Sequence, residues 1–105
     1  MPWYVYMAHF FGGVFLINAV PHLASGLRGQ AFRTPFVGLH GGNTSSPIMN
    51  VVWGWLNALA GVLLLGYVGP ARIADMADLA SIALGALLTG VLLAWYFSTR
   101  PSIGD

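Results

Sequence analysis

The chain has 105 residues, of which 57% are hydrophobic and only 7% charged, with four Arg, three Asp and neither Lys nor Glu. A soluble domain carries roughly a quarter of its residues as charge, so this balance excludes a surface built for water; a net charge of +1 also excludes a nucleic-acid surface. Without Cys there is no disulfide, thiolate metal site or thiol nucleophile, and the length fits a single domain, residues 1–105.

The charges stand at Arg28, Arg33, Arg72, Asp75, Asp78, Arg100 and Asp105 and leave three long apolar gaps. A bilayer core of about 30 Å takes roughly 20 helical residues. The gaps therefore predict an all-α membrane protein with three transmembrane helices, at about residues 3–27, 48–68 and 79–99, and a long loop between the first two. Membrane strands would alternate with a period of two, and three of them cannot close a barrel.

The first segment has no basic residue ahead of its apolar run, which favours a retained helix over a signal peptide. Within it, "LINAVPHLASG" at residues 16–26 places Asn18 and His22 on one face, while Pro21 has no N–H for the Ile17 carbonyl. Polar groups inside a span either bond to a neighbouring helix or form a ligand, ion or proton site, and both readings stay open here. His9 points about 180° away from Asn18 on a regular helix and is expected to face another subunit or a cofactor. His9 and His22 are the candidate axial ligands for a haem or chlorophyll-type pigment. A second axial ligand would have to come from another protomer, a partner protein or a Met. His9, His22 and His40 lack metal-ligand spacing, so no metal site is expected.

The connection from Arg28 to Pro47 contains "FVGLHGGNTSSP", rich in loop-forming residues. Its Phe32, Phe36, Val37 and Leu39 suit a segment that lies among lipid headgroups or folds back over the bundle. Arg28 and Arg33 read as topology determinants able to meet a phosphate or lipid headgroup.

In the second helix Asn50, Gly54, Asn57 and Gly61 fall within about 60° of arc. Small residues let backbones approach and buried amides bond across the seam, so this stripe predicts helix packing, with Asn50 and Asn57 available to Asn18 and His22. "GPARIADMAD", residues 69–78, predicts a tight turn, Pro70 at a helix start and an amphipathic lead into the third helix. That helix carries one seam of Asp78, Ser81, Gly85 and Thr89 and a second of Ala86 and Gly90. Two seams predict one internal contact and one with another chain.

Trp3, Tyr4, Tyr6, Tyr67, Trp95, Tyr96 and Phe97 cluster at the span ends as interface anchors. Arg28, Arg33 and Arg100 share one side, while Arg72 stands with Asp75 and Asp78 on the other. The positive-inside rule then puts loop 28–47 and the C-terminus in the cytoplasm and the N-terminus outside.

"NAVPHLASGLRGQAF" followed by "SSPIMNVVWGWLN" resembles a family of small uncharacterised bacterial inner-membrane proteins, over roughly residues 9–65. The resemblance implies a bacterial inner membrane and attaches no activity, cofactor or binding residue. Catalysis is not expected, because Ser25 beside His22 has no orienting carboxylate and Asp75 and Asp78 belong to the opposite end. The expected role is a non-enzymatic accessory or assembly subunit, in contact with lipid and with other membrane subunits or copies of itself. The alternatives are an oligomeric transporter or channel with its path at Asn18, His22, Asn50 and Asn57, and a pigment-binding subunit.

Overall fold

The computed structural model describes residues 1–35 and 44–99. These form three α-helices, α1 (Trp3–Leu27), α2 (Pro47–Gly66) and α3 (Met76–Ser98). Each is long and apolar enough to cross a membrane, as befits a small integral-membrane protein.

Capping chemistry sets where the helices begin. α1 has the predicted bounds and runs through Pro21 without interruption. α2 starts at Pro47, where the missing N–H costs nothing, and the Ser46 hydroxyl accepts from the Met49 amide at 3.1 Å. α3 starts at Met76 rather than at residue 79, because the Asp75 carboxylate accepts from the Ala77 amide at 3.0 Å. Pro70 opens no helix. It lies in the connection between Gly66 and Met76, so the expected helix start at that residue is corrected to Met76, behind the Asp75 cap. The connection from α1 to α2 spans residues 28–46. Within it Phe32 and Ser45 form an isolated antiparallel bridge with paired backbone bonds of 3.2 and 2.8 Å. Phe36, Val37, Leu39 and His40 lie outside the described residues, as do Arg100 and Asp105.

α1 is the central element. It packs against both α2 and α3, whereas no Cα of α2 comes within 8 Å of one in α3. α2 runs antiparallel to α1, with Gly61 beside Gly12 and Pro47 beside Gly26. α3 runs parallel to α1, with Asp78 beside His9 and Gly85 beside Phe10. The α1–α3 crossing is the tighter of the two. A Cβ on Gly85 would stand 2.0 Å from the Phe10 carbonyl oxygen, and one on Gly13 would stand 2.3 Å from that of Ile82. Backbone that close admits no side chain, which is the role small residues play between helices in lipid.

The four buried residues of α2 are Asn50, Gly54, Asn57 and Gly61, the stripe that the sequence predicts. In α3 only Asp78 and Gly85 are buried. Ser81 turns its hydroxyl onto its own helix, donating to the Ala77 carbonyl at 3.0 Å. Ala86 lies against Gly13 of α1, so α1 meets both seams of α3 at this level.

Burial is inverted relative to a soluble domain. The buried apolar residues among those described are Val5, Ala8 and Ala19, while His9, His22, Ser25, Thr34, Ser45, Asn50, Asn57 and Asp78 are all buried. Large apolar side chains such as Val52, Trp55, Leu59, Leu87, Val91 and Leu92 are at least half exposed.

Candidate functional site

The buried polar residues form two groups at opposite ends of α1. At the end where α1 begins, His9 binds Asp78 through Nδ1, and its Nε2–H donates to the Gly69 carbonyl at 2.5 Å. The second carboxylate oxygen of Asp78 accepts from the Arg72 amide at 2.7 Å. His9 and Asp78 are fully buried. The pair is neutral overall whether the shared proton sits on the imidazole or on the carboxyl, so it can remain buried without a counter-ion. Both ring nitrogens are thereby engaged. The expectation that His9 faces a cofactor or another subunit is corrected, because its neighbours belong to its own chain and neither nitrogen is left for an axial bond.

At the other end are two interhelical pairs, one helical turn apart on α1 and about two turns apart on α2. Asn18 Nδ2 donates to Asn57 Oδ1 at 2.9 Å, and Asn57 Nδ2 donates to the Trp53 carbonyl at 2.8 Å. Asn50 holds this end together. Its Nδ2 faces the carbonyls of Phe32, Ser45 and Ser46 at 3.0–3.1 Å, which fixes the amide so that Oδ1 faces His22 Nδ1 at 2.9 Å. A carbonyl oxygen can only accept, so Nδ1 carries the hydrogen. In the neutral ring Nε2 is then the nitrogen without a hydrogen. Thr34 and Ser45 share a hydroxyl hydrogen bond at 2.5 Å, pinning the two strands of the connection to each other.

Phe32 folds back against the bundle, the second of the two placements expected for it. The Phe32 ring lies 5.5 Å from the His22 ring and 4.6 Å from that of Phe97. Since α2 and α3 do not meet, Arg33, Thr34 and Pro35 of the connection stand over the gap between them. Beneath is a cavity of about 250 Å³. Its polar wall is Asn18, His22, Arg33 and Thr34, and its apolar wall includes Trp53, Leu93, Tyr96 and Phe97. The Nε of Arg33 is buried and has no hydrogen-bond partner among the described residues. Arg28, by contrast, is exposed and donates to Gln30 Oε1 at 3.0 Å.

Asn18, His22, Asn50 and Asn57 are thus brought together as the sequence predicts, but they close in pairs, and Asn50 and Asn57 are buried. Arg33 joins His22 rather than standing outside the bundle. Sequence reasoning missed His9–Asp78, which three-helix topology could have found, because the starts of α1 and α3 share an end. It also assigned Tyr96 and Phe97 to the interface belt, whereas both line the cavity; Trp3, Tyr67 and Trp95, at 63–84% exposure, keep the character of anchors. Among the described residues no cluster of three or more His, Cys, Asp or Glu could hold a metal.

No family model, curated protein or solved structure matches this chain.

Proposed function

We propose that the chain spans a bilayer with all three helices and serves as a non-catalytic ligand-holding membrane protein. The inverted burial supports the apolar surroundings, since Asn50, Asn57 and Asp78 are sheltered while the Leu, Val and Trp side chains face outward. The observation that carries the ligand role is the cavity. Its polar wall holds one buried guanidinium nitrogen, Nε of Arg33, that no described residue satisfies, and buried polar atoms ordinarily find a partner. A few polar groups set in an otherwise apolar concavity are the usual composition of a small-molecule site. Native mass spectrometry of gently extracted protein tests this reading. A stoichiometric small-molecule mass is expected on the wild type and absent from Leu93→Trp, which fills the cavity from α3; a wild type that flies bare under the mildest extraction counts against it.

The accessory-subunit reading finds support in a different feature. An open groove of about 420 Å³ follows Ile17, Ala86, Gly90 and Ala94, so the second seam of α3 touches its own chain through the Ala86 backbone and is left uncovered at Gly90, where a Cβ would come only within 3.8 Å of Ile17. A helix from a second copy or another subunit fits such a small-residue groove. The same spectra test it, through a stoichiometric protein partner.

A further inference from the structure

We infer that the cavity beneath the connection takes the acidic headgroup of an anionic amphiphile, with Arg33 as its counter-ion and the neighbouring groove along α1 and α3 as the seat of its apolar chain. The inference rests on the ligand-holding reading above and names the class of ligand.

Charge is the first argument. The sequence has no acidic residue before Asp75, and the described acids, Asp75 and Asp78, stand at the start of α3, at the far end of the bundle. Among the described residues the only ion pair is His9–Asp78. Arg33 therefore brings a permanent positive charge to a half-buried position with no carboxylate among the described residues to meet it. A guanidinium in such a place is stabilised by a negative ligand.

Geometry is the second. Nε is the buried atom without a partner, and Nε together with a terminal nitrogen forms the fork that matches two oxygens of a carboxylate or phosphate. The other polar groups of the wall complement an oxyanion head. Asn18 spends one of its two amide hydrogens on Asn57. His22 Nε2 accepts from an O–H of the head or, when protonated, donates to it.

The third argument is the groove that adjoins the cavity. Leu93 and Phe97 line it and also line a second groove of about 280 Å³, which runs over Ile17, Val20, Pro21, Gly90 and Ala94. That groove is almost wholly apolar. A ligand with its acid under Arg33 would lay a hydrocarbon chain past Leu93 and Phe97 onto the outer face of the α1–α3 contact, open to acyl chains. A small hydrophilic anion would leave this groove empty.

The test is a binding competition on the full-length wild type in maltoside micelles, read by native mass spectrometry. Palmitate, hexadecanol and phosphatidylglycerol are offered in alkaline buffer, where the fatty acid is ionised. A hydrogen-bonded charge pair predicts that palmitate or phosphatidylglycerol outcompetes hexadecanol by at least about tenfold, and whichever anion leads identifies the headgroup as carboxylate or phosphate. Arg33→Gln should abolish the preference while hexadecanol still binds, Arg33→Lys should retain part of it, and Arg28→Gln should leave it unchanged. Binding of hexadecanol to the wild type that equals that of both palmitate and phosphatidylglycerol, or a preference that survives Arg33→Gln, overturns the anionic class while the ligand-holding reading stands. If none of the three amphiphiles binds, both are overturned.

Discussion

His9 and Asp78 show how much a single residue can depend on a distant partner in this chain. They are 69 positions apart, fully buried, and each satisfies the other while Gly69 and Arg72 complete the set. Removing one member leaves the other buried without its partner. His9→Leu is accordingly expected to destabilise the fold by about 3–5 kcal/mol, and the double variant His9→Leu/Asp78→Leu by clearly less, since neither polar group then remains. Reversible unfolding of both single variants and the double variant in mixed micelles measures the cycle, and a double-variant loss equal to the sum of the two single losses would show that the pair is not coupled. Such a pair is hard to read in sequence. Helical periodicity relates residues within one helix, and nothing local to His9 points across to α3. Asn18 and His22 were more legible, because both lie on one face of α1 and the stripe of α2 offered amides at matching depth.

Among the elements, α2 was the most transparent. Its polar and small residues recur at i, i+4, i+7 and i+11, and those four are its buried face. α3 was legible only in part, because its polar side chains do not all serve the interface: the Ser81 hydroxyl is satisfied by its own helix, so periodicity alone overstated the seam. What governs the α1–α3 contact is the approach of backbone at Gly13 and Gly85. Gly85→Val is expected to cost at least about 1–3 kcal/mol as α3 is driven away from the Phe10 carbonyl. A Cβ at Gly66 meets nothing within 4 Å, so Gly66→Ala should stay within about 0.5 kcal/mol of wild type. Thermal unfolding of the two variants side by side distinguishes steric exclusion from a general intolerance of glycine replacement. The connection was the least legible element. Its backbone course depends on Asn50, which lies beyond it in the chain and gathers the carbonyls of Phe32, Ser45 and Ser46.

For the whole molecule, the composition announced three apolar helices, but no count of residues reveals that α1 alone touches both others. The gap between α2 and α3, and hence the cavity, follows from that arrangement. Orientation is the property of the whole chain most open to direct measurement, because a protein without Cys accepts single reporter thiols cleanly. Gln30→Cys and Ile73→Cys place them at exposed positions on the two connections. With loop 28–47 cytoplasmic, a membrane-impermeant maleimide applied to intact cells should label Ile73→Cys and spare Gln30→Cys. The reverse pattern would invert the topology, and labelling of both in sealed cells would contradict a three-span arrangement.

The central position of α1 also dictates an order of events during synthesis. α1 is made first, yet almost none of its polar side chains can be satisfied when it emerges. His22 finds Asn50 only 28 residues later, Asn18 finds Asn57 after 39, and His9 waits 69 for Asp78. A nascent chain halted after α2 would have closed one end of the bundle and left the other with an unmatched imidazole. The end of the bundle around His9 therefore stays open until α3 has been made.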